Sequence, residues 1–218
     1  MAHSEFNQYC TILIFCNLHC DLIFWLVYDL DVPTFEIKPV TRDRWDDLVQ
    51  LFGPSGAYSG CWCMFWRVKS SEFEANGNKG NRKTMRRIVA RNENPGLLAY
   101  AGGKPVGWIS LGPKEEFGRI ERSPLFKAID DQPVWSVACF FIDKEYRNHG
   151  VGKRLLSAAA DFARSQGAGI LEAYPIDTRG KRREDSALFT GTLALFEQAG
   201  FVEVARRKER RPVMRKKL

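Results

Sequence analysis

From Phe35 onward the apolar and polar positions fall into short, readable periods. "FEIKPV" (35–40) alternates with period two, as a half-buried strand does, and "RDRWDDLVQLF" reads as a short helix stopped at Gly53. A Gly-rich, aromatic-rich loop, "GPSGAYSGCWCMFW", follows; "RKTMRRIVARNE" then predicts a helix with Met85, Ile88 and Val89 on its inner side. "GLLAYAGGKPVGWISLG" is two strands around a Gly-Gly-Lys-Pro turn, and residues 113–133 read as a long polar connection. "VWSVACFFI" (134–142) is the most strand-like run in the chain, with β-branched and aromatic residues and no turn former.

The next stretch, "EYRNHGVGKRLL", opens a helix that carries Leu155, Ala159, Phe162 and Ala163 on one face and stops at Gly167. "GILEAYPI" is a further strand, "SALFTGTLALFEQAGF" a helix ended by Gly200, and "FVEVARR" and "RPVMRKK" two closing strands. The element order is therefore β-α-α-β-β-β-α-β-α-β-β, without repeats or a linker: one mixed α/β domain over residues 33–218.

Residues 1–32 stand apart as an apolar extension of unclear role. "TILIFCNLHCDLIFWLVYDL" is broken by Asn17, His19 and Asp21, short of the ~20 apolar residues that span a bilayer. It has neither a basic leading segment nor a small-residue cleavage site, which disfavours a signal peptide. It reads as an extra packing segment or as residues upstream of the true start, ahead of a membrane anchor.

Composition changes the picture little. The 218 residues, 44% hydrophobic and 27% charged, suit a soluble globular chain. The net charge of +7 resembles a nucleic-acid signal until it is located, because the final thirteen residues, "RRKERRPVMRKKL", carry all of it. Nucleic acid is disfavoured as a partner, and a homodimer is left open. The cysteines at 10, 16, 20, 61, 63 and 139 fit no zinc spacing, so no metal is expected and reduced thiols in a cytoplasm are the default.

Chemistry is most legible at "EYRNHGVGKRLL" (145–156). A Gly-rich turn between strand and helix presents backbone N–H groups to an anion, and the helix's positive end adds to the attraction. The same glycines also suit a plain tight turn. Arg147, Gly150 and Gly152, however, match the three defining positions of the loop Arg/Gln-x-x-Gly-x-Gly/Ala, and "FFIDKEYRNHGVGKRLL" and "ALFEQAGFVEV" resemble the strand–loop–helix core and the late helix–Gly-Phe–strand signature of the GNAT superfamily of N-acetyltransferases. The resemblance covers roughly residues 35–218. It implies a GNAT-like α/β domain with a mixed, mostly antiparallel central sheet flanked by helices. It also implies acetyl-CoA as acetyl donor and a primary amine as acceptor, joined by direct attack in a ternary complex. In that reading Phe141, Ile142 and Asp143 pair with the pantetheine arm, an N–H at a bulge polarises the thioester carbonyl, and Arg147, Asn148, His149, Gly150, Val151, Gly152 and Lys153 hold the phosphates.

One departure stands out. The position where many relatives carry a general-acid Tyr is Phe196 here, which has no proton to give. Glu172 and Tyr174, two apart on one strand face, are the substitute catalytic candidates, with a merely polar sheet face as the plain alternative. Tyr58, Trp62 and Trp66 of the aromatic loop, with Glu116 of the 113–133 connection, are the acceptor-site candidates, against a purely structural role in closing the core. The leading expectation is transfer to a small amine. A protein or peptide acetyltransferase and a non-catalytic CoA-sensing or basic nucleic-acid-binding module are the competing readings.

Overall fold

Seven strands form a single sheet in the order β1-β2-β3-β4-β5-β7-β6. They are β1 (Glu36–Pro39), β2 (Gly96–Ala101), β3 (Lys104–Pro113), β4 (Trp135–Ile142), β5 (Ile170–Ala173), β6 (Val202–Lys208) and β7 (Arg211–Lys217). The helices are α1 (Trp45–Phe52), α2 (Ser70–Ala90), the single turn α3 (Gly118–Glu121), α4 (Val151–Ser165) and α5 (Leu193–Gln198). The structure is a computed structural model that describes residues 34–181 and 183–218; the expectation for residues 1–32 lies outside the described residues. Among the described residues no helix is long and apolar enough to cross a membrane.

All neighbouring strands run antiparallel except β4 and β5, which are parallel. Their pairing lasts for only Trp135↔Leu171, Ser136↔Glu172 and Val137↔Ala173. Beyond that point β5 ends and β4 continues to Ile142, so one edge of β4 parts from the sheet. At the same level β4 carries a bulge: Ser110 faces Cys139 while Leu111 faces Val137, which leaves Ala138 as the extra residue.

The alternation expected along each strand sorts the core onto two faces. On one, Val151, Leu155, Leu156, Ala159 and Ala163 of α4 pack on Leu97, Ile109, Val137 and Phe140. Gly107 permits this approach, because a Cβ there would lie 2.7 Å from Val151 Cγ1. On the other face, Leu48 and Phe52 of α1 and Met85 and Ile88 of α2 pack on Leu98, Tyr100 and Trp108. The bulge resets the alternation in β4: Val137 and Phe140 face α4, whereas Cys139 and Phe141 face the α1/α2 side. Strict period two would have kept Val137, Cys139 and Phe141 together.

Three elements differ from the sequence reading. Helix α2 begins at Ser70, twelve residues before Arg82. The 113–133 connection is anchored rather than merely polar, since Phe117, Ile120 and Phe126 are fully or almost fully buried in a third apolar cluster with Tyr174 and Trp66. The late helix starts at Leu193, not near Ser186. Gly191 is left-handed (φ 79°) and Thr192 is the N-cap, its side chain accepting from Leu195 N, so residues 186–191 cannot continue the helix upstream.

A buried charge network fastens β5 where the strands part. Glu172 is fully buried; its Oε1 accepts from Lys114 Nζ at 2.7 Å and from Tyr174 OH at 2.7 Å, and its Oε2 accepts from Arg215 Nε at 2.7 Å. Arg215 also reaches Asp130 at 2.6 Å, and Lys114 donates to Phe126 O at 2.8 Å. Neutralising one member leaves buried charges uncompensated, at a cost of about 3 kcal/mol or more. Glu172→Gln is therefore expected to lower the thermal midpoint by roughly 6–12 °C, on the scaling for a chain of this size. A differential-scanning measurement showing an unchanged midpoint would remove the network from its structural role.

Candidate functional site

The exposed edge of β4 is the starting point. Asp143 N donates to Val106 O at 2.9 Å, which places the N–H of every second residue, Asp143 and Phe141, toward β3. The intervening N–H groups of Phe140 and Ile142 point into the gap left by β5. That of Phe140 is taken by Phe189 O at 2.6 Å, so residues 186–191 run beside this edge.

After β4 the chain turns tightly. The Asp143 carboxylate accepts from Glu145 N at 3.1 Å, Tyr146 N donates to Asp143 O, and Arg147 Nε donates back to Ile142 O at 3.1 Å. Asn148 (φ 64°) and Gly150 (φ 81°) then take left-handed conformations, and Gly150 is the N-cap of α4. Gly150 needs to be glycine for its φ alone, since a Cβ there would meet nothing within 4 Å. That open space faces the first turn of α4, whose N–H groups at Val151, Gly152 and Lys153 have no intrahelical acceptor. Val151 is buried in the core and pins the helix, while Asn148, His149, Gly150 and Lys153 are exposed. Orphan amides, a helix dipole and nearby Arg147 and Lys153 suit a polyanion at this surface.

Between the β4 edge and the aromatic loop lies a cavity of about 650 Å³. Phe65, Phe73, Phe140, Phe141, Leu188 and Phe189 supply most of its walls, with Tyr58, Ile142 and Arg147 at its margins and the thiols of Cys61, Cys63 and Cys139 among its lining. Among the described residues that lining includes no carboxylate, and Arg147 is its one charged residue. Phe65 and Phe189 meet edge to face at 5.9 Å, which joins the aromatic loop to residues 186–191 across the cavity.

The structure separates the sequence-predicted residues. Phe141, Ile142, Arg147 and Tyr58 line the cavity, and Asp143 to Lys153 form the loop and helix start beside it. Trp62 does not line it: the indole is 2% exposed, stacks on Trp45 at 5.9 Å and donates to Asn78 Oδ1 at 2.7 Å. Trp66 packs on Phe126 in the third cluster, and Glu116 is paired with Arg67 at 2.6 Å. Glu172 and Tyr174 do share a strand face, but that face is sealed. Tyr174 is 1% exposed and its hydroxyl sits between Glu172 and Ser136; burial and the Glu172 charge hold its pKa well above the usual phenol value. Phe196 is likewise enclosed, against Phe140 and Phe201. The sequence reading missed Phe73, Leu188 and Phe189 as walls and Cys61 and Cys63 as cavity thiols. The Gly191-Thr192 pair was the available signal that 186–191 leaves the helix. Among the described residues no cluster could hold a metal ion.

Comparison with known proteins agrees with this architecture. The family model described as "Acetyltransferase (GNAT) family" matches residues 62–183. An uncharacterized N-acetyltransferase of Methanocaldococcus jannaschii is 25% identical over 177 residues, a match that covers 81% of this chain and 64% of that relative. The PaiA N-acetyltransferase of Thermoplasma acidophilum, solved in complex with coenzyme A, superimposes with a TM-score of 0.50 at 16% identity, over 85% of this chain and 99% of its own. The Drosophila melanogaster polyamine N-acetyltransferase gives 0.50 at 12% identity, over 85% and 100%. The splayed β4, the bulge at Ala138 and the Arg147–Gly152 turn thus lie within a fold held in common, and the chain belongs to the acetyltransferase (GNAT) family.

Proposed function

We propose that residues 33–218 transfer the acetyl group of acetyl-CoA to the primary amine of a small molecule with a largely apolar body, by direct attack while both are bound. The observation that carries this reading is the stretch of β4 beyond its pairing with β5, which leads from the anion-suited turn at Arg147–Gly152 directly into the apolar cavity. Acetyl-CoA would supply an activated thioester. Lys153, Arg147 and the orphan amides of α4 would hold its phosphates, while the outward N–H of Ile142 would pair with the arm as an added strand, joined by that of Phe140 once its bond to Phe189 O opens. An N–H on this edge, just past the bulge, is suited to polarise the carbonyl.

The acceptor class follows from the walls. A polycation entering a cavity whose described lining includes no carboxylate would lose solvation and gain no counter-charge there. Aromatic sides at Phe65, Phe73 and Phe141 favour an arylalkyl or alkyl monoamine over the polyamine that the Drosophila relative's name describes. The unbridged thiols of Cys61, Cys63 and Cys139 fit a reducing, cytoplasmic setting. Tyr174 and Glu172, sealed behind β4, serve this reading by fixing β5 where the strands part.

Three measurements test this reading. A thiol-release screen with acetyl-CoA should rank apolar monoamines above polyamines, and the reverse order would overturn the acceptor assignment. Acetyl-CoA should raise the thermal midpoint, since saturation at about a hundredfold over Kd adds about 2.7 kcal/mol. Gly150→Asp, which tolerates the left-handed region and places a carboxylate in the open space, should abolish that rise with little change in the unliganded midpoint. A full rise in the variant would move the phosphates elsewhere. Finally, Tyr174→Phe should leave turnover well within the ~10²-fold that loss of a general acid costs. A larger fall at constant CoA affinity would restore Tyr174 as the proton donor.

A further inference from the structure

The cavity contains a feature that amine acetylation does not use. Three cysteines, Cys61, Cys63 and Cys139, line one largely apolar space. Cys63 Sγ accepts from Trp108 Nε1 at 2.9 Å, and the Cys139 thiol is directed to Phe140 O at 3.6 Å. An indole N–H can only donate, so the Cys63 sulfur is fixed as an acceptor on that side. Trp108 is fully buried, held edge-on by Phe52 at 5.8 Å, and packed so closely on Gly96 that a Cβ there would lie 2.4 Å from its ring. The donor is therefore preorganised on the sulfur.

The backbone also spends strain to bring this thiol here. Trp62 (φ 45°) and Cys63 (φ 52°) are consecutive non-glycine residues in the left-handed region, where such residues are rare. On the other side, Cys139 stands directly after the Ala138 bulge, at the start of the β4 edge that parts from β5. The two sulfurs thus bridge the strained loop and the strand along which the thioester would lie.

The electrostatics point the same way. Neighbouring Cys139, the Trp108 N–H and the nearby Arg67 charge lower the pKa of Cys63 against the opposing effect of burial. Cys139 is pushed the other way, by its interaction with Cys63 and by its own burial. Cys61 is pushed up to about 11, first by burial and then by the Cys63 charge. Of the three sulfurs, Cys63 is the one whose surroundings favour the thiolate, the reactive form.

We propose that Cys63 is an acyl-accepting nucleophile: with acetyl-CoA bound and no amine present, its sulfur takes the acetyl group. This rests on the acetyl-CoA reading above. The Cys63 sulfur forms a bond to the acetyl carbonyl carbon as the bond from that carbon to the CoA sulfur breaks. The Cys63 sulfur attacks as its thiolate and CoA leaves as its thiolate, so the negative charge passes from one sulfur to the other and no proton has to move. One thioester and one thiolate become one thioester and one thiolate, so no oxidant, reductant or acid is needed. The exchange thereby avoids the demand for a proton donor that Phe196 cannot meet. It makes Cys63 a second acceptor of the same cavity, with a different chemistry from the amine.

The test incubates the protein with acetyl-CoA alone, quenches in acid, and reads intact mass and mapped peptides, with CoA binding followed separately by thermal midpoint. The expected result is a gain of one acetyl group, mapped to Cys63 and removed by hydroxylamine as a thioester is. Cys63→Ser should lose the label, and Cys61→Ser should keep it. A midpoint that rises with CoA while no thioester forms overturns this inference and leaves the transferase reading standing, as does a label that persists in Cys63→Ser. If the midpoint does not rise and no label forms, the acetyl-CoA reading itself fails, and this inference with it.

Discussion

One buried carboxylate governs the geometry on which the site depends. Glu172 sits on the strand that accompanies β4 for three residues and then stops, and its two oxygens are filled by Lys114, Tyr174 and Arg215. A buried anion with this many charged donors has few alternative arrangements, because any shift of β5 would strand a charge in a low-dielectric interior. The network therefore fixes where the parallel pairing ends. β4 is left with an unpaired edge in a defined place, and the helix that follows it presents its N-terminus beside that edge.

The cavity next to that edge works by exclusion of water. Aromatic walls from the loop at Phe65, from β4 at Phe141 and from the segment at Phe189 lower the local dielectric, which strengthens every fixed dipole that points into it. The same environment penalises a free charge that finds no partner, which is the physical basis of the acceptor class proposed above. Polarity is sorted along the edge: anion-suited amides at the α4 end, uncharged walls at the other.

The parts of this arrangement that were legible in the sequence are local ones. Arg147, Gly150 and Gly152 lie within six contiguous residues, and their turn needs a left-handed glycine and a helix start that adjacent residues already specify. The element order followed from periodicity for the same reason. What periodicity could not carry was depth. It placed Glu172 and Tyr174 correctly on one face, yet whether that face is a cleft or a sealed interior depends on Phe126, Lys114 and Arg215, which arrive from distant segments. One extra residue in β4 likewise moved Cys139 away from the face of Val137. Trp62, Tyr58 and Cys63 lie within six positions of each other and have three different fates, set by a run of left-handed backbone that no hydrophobic pattern encodes.

The hydrogen bond from Phe140 N to Phe189 O has a thermodynamic meaning beyond its place in the sheet. An unpaired strand edge invites association with any other extended chain, and residues 186–191 cover part of this one internally. A ligand that pairs with β4 at Phe140 is therefore a competitor of the protein's own backbone. Its observed affinity is the intrinsic affinity multiplied by the fraction of molecules in which that contact is open. Substitutions in residues 186–191 that never touch a ligand can thus tighten or weaken its binding by changing that fraction alone.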